Sequence, residues 1–107
     1  MPVTIYISGA ITSDPYYQFK FDEAEKSLKA TFQYAKIINP AKNKVDTTSL
    51  NAEQIWQAYM EISREQVKQS DIVATLDGWQ LSRGATEEVA LAQSNGILVC
   101  SVKELIK

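Results

Sequence analysis

Residues 71–84, DIVATLDGWQLSRG, are a short run rich in apolar and β-branched residues that closes on a turn and leads into a helix start, and residues 3–12, VTIYISGAIT, open the chain in the same way. Val3 to Ser8 and Asp71 to Leu76 are too short for helices and suit buried strands. Working outward, Ala35 to Asn39 is a third such run, closed where Pro40 pushes Asn39 out of helical geometry. Ile97 to Ser101 is a fourth. Between them lie helical patterns. Phe21, Ala24, Leu28 and Phe32 recur at helical spacing over Pro15 to Phe32, with Asp14 as the expected cap and Pro15 at the first helical position. Asn51 to Ser70 and Ser82 to Asn95 give the second and third helices, the latter followed by Gly96, and Val102 to Lys107 a short closing one.

The order β-α-β-α-β-α-β-α over one domain, residues 1–107, predicts parallel strands joined by right-handed crossovers: a flavodoxin-like, doubly wound, three-layer α/β sandwich with strand order 2-1-3-4. Ligands of such sheets bind outside the carboxyl ends of the strands, where the order reverses. That rule assigns substrate contacts to Gly9 and Ala10 after the first strand and to Asp77, Trp79, Ser82, Arg83 and Gly84 after the third. Residues 41–50, AKNKVDTTSL, have no usable period and read as a surface connection lying over the pocket.

Composition removes several classes of function. Hydrophobic residues make up 45% and charged residues 22%, the balance of a globular chain and not of a disordered one. The net charge is -2, and no run of Lys or Arg forms a stripe for a phosphate backbone, so long nucleic acid is excluded as a partner. No stretch approaches the ~20 apolar residues of a membrane span, and the N-terminus lacks a signal-type core, so a cytoplasmic location is expected. The single cysteine, Cys100, lies in the apolar run ILVC and reads as a small buried hydrophobe. Histidine is absent, which removes triads with a His base and zinc sites built on imidazole. No metal or cofactor is expected, and any acid or base must be a carboxylate, a tyrosine or a lysine.

Glu88 lies about one turn into the third helix and leans back toward its N-terminus, where its carboxylate reaches the same cleft and the helix end keeps it ionised. Glu87, about 100° away around the helix, faces elsewhere. Two glutamates early in a helix also read as dipole-friendly surface charge, Ser82 as a plain N-cap and Arg83 as a solvated cation. Tyr6, if buried in a central strand, needs a partner for its hydroxyl. Trp79 suits stacking on a base. The second helix carries Ile55, Trp56, Tyr59, Met60, Ile62 and Val67, a face wider than one sheet contact needs, which predicts a homodimer or higher homo-oligomer through Trp56, Tyr59 and Met60.

Taken in order, Ile5-Tyr6-Ile7-Ser8-Gly9-Ala10-Ile11, Ile38-Asn39-Pro40, Tyr59-Met60, Asp71, Gly78-Trp79 and Ser82-Arg83-Gly84-Ala85 with Glu88 resemble the nucleoside 2-deoxyribosyltransferase-like superfamily, close to its small uncharacterised bacterial and phage branch. The likeness runs from Ile5 to about Val99. It implies that Glu88 attacks the anomeric carbon of a deoxyribose and that Tyr6 orients it, with a small-molecule nucleotide or nucleoside as partner. Serine at position 82, where transferases of the superfamily tend to carry an acid, implies a 5′-phosphate held by Ser82 and Arg83. The chain's end at Lys107, without the longer segment that completes a neighbouring site in the transferases, favours hydrolysis or binding over base exchange. The expected activity is therefore that of a 2′-deoxynucleoside 5′-monophosphate N-glycosidase, the alternatives being a non-catalytic nucleotide-binding protein and a deoxyribosyltransferase. Two positions depart from the pattern. Ser63 stands eight residues before Asp71, where the superfamily commonly has an aspartate that exchanges a proton with the base, and Thr12 replaces an arginine of the nucleotide glycosidases.

Overall fold

A computed structural model of the chain describes residues 2–107. Its strands are β1 (Thr4–Ser8), β2 (Lys36–Ile38), β3 (Ile72–Thr75) and β4 (Leu98–Ser101), and its helices are α1 (Tyr17–Thr31), α2 (Ala52–Lys68), α3 (Arg83–Ser94) and α4 (Val102–Leu105). The strands form one sheet in the order β2-β1-β3-β4, every pairing parallel, as expected for the flavodoxin-like class. No helix among the described residues is long and apolar enough to cross a membrane.

Successive strand side chains point to opposite faces, so β1 divides its residues between two cores. Ile5 and Ile7 pack with Phe21, Ala24 and Leu28 of α1 and with Val102 of α4. Tyr6, on the other face, packs with Val73, with Val67 of α2 and with Ala92 of α3. Ser8, two residues on, is fully buried on the Tyr6 side. This parity brings two hydroxyls of β1 under the α2 and α3 layer.

The start of α1 differs from expectation. It begins at Tyr17 instead of Pro15, and Asp14 does not cap it. The Asp14 carboxylate instead accepts from the Tyr16 backbone N–H and pairs with Lys20, which closes a turn ahead of the helix. Within the connection after β2, Pro40–Lys42 form a short 3-10 turn, capped by Asn39, whose side chain accepts from the Ala41 N–H at 3.0 Å. Asn39 also donates to Asp22 and Glu25 of α1, and Lys42 pairs with Glu25 at 2.9 Å. At the far end Asn43 and Gln66 exchange two hydrogen bonds, of 2.8 and 3.0 Å. The segment 39–43 is thus fastened to α1 on one side and to α2 on the other.

Candidate active site

Two periodicities meet at the carboxyl edge of β1. In α3, Ala85, Glu88, Val89 and Ala92 are the buried residues, spaced three and four apart, so the stripe that faces the sheet contains one carboxylate. Glu88 is only 6% exposed. The Tyr6 hydroxyl donates to its Oε2 and the Ser8 hydroxyl to its Oε1, each at 2.8 Å. Glu87 points outward and takes a two-pronged ion pair from Arg64 of α2, at 3.2 and 3.1 Å. Surface charge is therefore the wrong description of Glu88 and the right one for its neighbour.

Burial, the largest effect, pushes the Glu88 carboxyl up to about 7, against the pull of the Ser8, Tyr6 and Ser63 hydroxyls. The expectation that the helix end keeps it ionised is corrected accordingly. Glu88 is the sixth residue of α3, beyond the first turn in which the helix dipole acts, and loss of water dominates. Tyr6 is itself held well above its ordinary range, first by burial and then by the carboxylate, so it acts as a fixed donor. The Ser63 hydroxyl is near enough to both groups to favour their ionised forms, while the two 2.8 Å bonds are the ones that close.

Glu88 lines a cavity of about 360 Å³, within the range of small-molecule sites. Gly9, Ser82, Gly84 and Ala85 border it beside Glu88; Ile55, Trp56, Tyr59, Met60 and Ser63 of α2 form one wall; and Ile11, Thr12, Tyr17, Pro40, Ala41 and Asn43 complete it. Both glycines allow close packing. A Cβ on Gly9 would stand 2.8 Å from Cδ1 of Leu76, and one on Gly84 would stand 3.3 Å from the Met60 sulfur.

The sequence-predicted residues divide. Gly9, Ser63, Ser82, Gly84 and Glu88 line the cavity, and Tyr6, fully buried, does not line it but bonds to Glu88. Ala10, Asp77 and Trp79 do not line it: Ala10 and Trp79 are half-buried beside it in sequence only, and Asp77, its side chain 71% exposed, pairs with Lys103. Arg83 projects outward, pairing with Glu53 at 2.8 Å and lying 3.6 Å over the Trp56 ring. Ser82 is an N-cap, accepting from the Ala85 N–H at 3.1 Å, as well as a lining residue. Trp56, Tyr59 and Met60, the residues expected at an oligomer contact, line the cavity. Ser8 is the residue that the assignment of roles missed; its signal was the two-residue offset from Tyr6.

An all-parallel sheet with a buried, hydrogen-bonded carboxylate and a ligand-sized cavity at its carboxyl edge defines a flavodoxin-like domain with a candidate active site. The chain belongs to the family described as Domain of unknown function (DUF4406), whose model matches residues 3–101. Among solved structures it is similar to a conserved protein from Enterococcus faecalis V583, with a TM-score of 0.66 and 21% identity over 92% of this chain. The chain spans 62% of that protein's length, and the likeness is one of fold. No curated protein matches.

Proposed function

We propose that this chain is an N-glycosidase of 2′-deoxynucleoside 5′-monophosphates, with Glu88 as nucleophile and Tyr6 and Ser8 orienting it. The observation that carries the reading is a nearly buried carboxylate in the wall of a cavity, with each oxygen held by a separate hydroxyl at 2.8 Å. The carboxylate also serves as acceptor for the buried Tyr6 and Ser8 hydroxyls, but a neutral acceptor would do that at lower desolvation cost, and Glu88 in addition borders the cavity. The resemblance to the nucleoside 2-deoxyribosyltransferase-like superfamily supports the same roles for Glu88 and Tyr6. Ser82 and Gly84 border the cavity at the N-terminus of α3, whose backbone donors suit a 5′-phosphate.

The chemistry has two steps. A Glu88 oxygen bonds to the anomeric carbon as the bond to the base breaks, and water then hydrolyses the glycosyl ester and restores the carboxylate. The products are free base and deoxyribose 5-phosphate. Ser63, in place of an acid, favours a second reading in which the same cavity binds a nucleotide without turning it over. Incubation with a panel of deoxynucleoside monophosphates, followed by chromatography for free base, decides between them. Base release that disappears in Glu88→Gln supports the glycosidase; saturable binding with no release from any nucleotide overturns it in favour of the binding module.

A further inference from the structure

The cavity holds one carboxyl group and no other strong acid or base. Among the described residues that line it, the ionisable side chains are Glu88 and the phenols of Tyr17 and Tyr59; there is no lysine, arginine or second carboxylate. Glu88 is committed to the sugar in the reading above, on which this inference rests. A neutral base that leaves with the electron pair of the glycosidic bond becomes an anion unless a proton reaches it. At the position from which the superfamily supplies that proton stands Ser63, whose hydroxyl is not an acid in this range. A phenol is chemically a far weaker proton donor than a carboxyl group.

We infer that the site is built for nucleotides whose base is already cationic at the glycosidic bond, of the N-alkylpurinium or pyridinium class. For such a substrate the missing acid is no defect. A Glu88 oxygen forms a bond to the anomeric carbon, the carbon–nitrogen bond breaks, and its electron pair neutralises the ring nitrogen, so the base leaves uncharged. Water then cleaves the ester, freeing the carboxylate and one proton. Substrate and water give base, sugar phosphate and a proton, with nothing else consumed.

The lining favours the same class before any bond breaks. Three aromatic side chains, Tyr17, Trp56 and Tyr59, contribute to the cavity, and a cation beside aromatic faces is attracted to them. One face of the Trp56 ring is already taken by the Arg83 guanidinium at 3.6 Å, which leaves Tyr17 and Tyr59 as the aromatic side chains without a stacked cation. Glu88 supplies the only formal charge in the lining, and it is negative when ionised.

The test compares dGMP with its N7-methyl derivative, which carries a cationic purine on the same sugar phosphate, with spontaneous base loss measured without protein and subtracted. The wild type is expected to show kcat/KM at least ~100-fold higher on the methylated nucleotide, the lower end of what a positioned acid contributes. Ser63→Asp places a carboxyl group beside Glu88 and changes the rate on both nucleotides, so it is read as a ratio: kcat/KM on dGMP relative to the methylated nucleotide should rise by a similar factor, closing the gap. Wild-type turnover of both nucleotides within about tenfold of each other overturns the inference while leaving the glycosidase reading intact, because an acid must then be acting on the neutral base. A Ser63→Asp variant that accelerates both equally overturns it in the same way. Release of base from neither nucleotide by the wild type removes the glycosidase reading and this inference together.

Discussion

The Tyr6 hydroxyl lies 2.8 Å from Oε2 of Glu88, a contact between residues 82 apart in sequence, and Ser8 reaches the other carboxylate oxygen at the same distance. Strand parity puts both hydroxyls under α3, and helix periodicity puts the carboxylate over them. The pair divides its work by chemistry: the phenol stays protonated and can only donate to a charged Glu88, while the carboxyl group is the member that titrates near neutrality.

Removing one donor should therefore show in stability and in ionisation together. Tyr6→Phe keeps the ring in its core and deletes only the bond to Oε2. Chemical denaturation above neutral pH is expected to show a loss of about 1–3 kcal/mol, the cost of leaving a buried charged group short of a partner. Ser8→Ala should do the same, and both should raise the Glu88 carboxyl further. Either variant as stable as the wild type, with an unmoved titration, would break the assignment of these bonds.

The pH dependence has a definite sign. The Glu88 carboxyl rises from 4.5 unfolded to about 7 folded, so the native state binds its proton more tightly. Its contribution to stability is full below about 4.5 and is lost as pH climbs through about 7, on the order of 3 kcal/mol at most across that window. Glu25 has the opposite sign. Burial opposes its charge, but Lys29, Lys42 and Asn39 outweigh burial and bring it down from 4.5 to about 2, so its contribution is lost as pH falls through about 2. Urea midpoints should decline from pH 4.5 to above 7, and Glu88→Gln should flatten that decline. Under the proposed glycosidase reading, activity should run the other way, rising with pH as Glu88 ionises. Stability and activity that rise together across neutrality would contradict the assignment.

These relationships were unevenly legible in the sequence. The alternation of strands and helices carries the parallel sheet, and burial of Tyr6 calls for some partner for its hydroxyl, but the pairing of Tyr6 with Glu88 in particular is what the superfamily resemblance implies. The start of α1 is not legible locally because Asp14-Pro15 fits two patterns, and the Asp14 bonds to Tyr16 and Lys20 select the turn. Asp77 and Trp79 were placed at the ligand by a rule about loops, which says where a loop emerges and not where each side chain turns. Apolar width on the α2 face does not distinguish a partner from a cavity, and Trp56, Tyr59 and Met60 line a cavity. The charge state of Glu88 was invisible, since it depends on how completely α2 and α3 exclude water.

Gly9 offers a test of packing at the cavity's edge. A methyl group there would meet Leu76, with Cδ1 at 2.8 Å and Cβ at 3.0 Å. Rotation of the leucine relieves the first contact and not the second. Gly9→Ala is expected to cost about 1–3 kcal/mol by overpacking and to weaken ligand binding more than Leu76→Ala, which leaves a gap instead of an obstruction. A Gly9→Ala protein with wild-type melting and affinity would show that the loop yields freely.

Fastening of the segment 39–43 bears on whether the cavity is preformed. Asn39 is buried, accepts from Ala41 and donates to Asp22 and Glu25. Asn39→Ala should cost about 1–3 kcal/mol and release Pro40 and Ala41 from the cavity wall. Hydrogen exchange at Ala41 and Lys42 should accelerate, with little change at the β3 amides. Unaltered exchange at those two positions would mean that the Asn43–Gln66 bonds hold the segment by themselves.

Arg83 poses the sharpest question about the phosphate, because its side chain faces away from the cavity while its backbone opens α3. The Arg83 side chain is 62% exposed, its guanidinium engaged with Glu53 and stacked on Trp56. If a 5′-phosphate is held by the helix's first N–H groups, Arg83→Ala should change affinity for a nucleoside monophosphate by no more than about threefold, since the backbone donors survive the substitution. Arg83→Glu adds a negative charge next to Glu53 at the same helix end, and affinity should fall by ~10-fold or more, the worth of one charge-assisted bond turned to repulsion. The matching nucleoside without phosphate supplies the control, and its affinity should hardly move. Titration calorimetry at low and high salt separates the two contributions, because the Arg83→Glu penalty is screened and the loss of a backbone contact is not. Equal affinity of wild type and Arg83→Glu for the monophosphate would remove the α3 N-terminus as the phosphate site, whereas a nucleoside affinity that falls in parallel would trace the effect to the Trp56 wall.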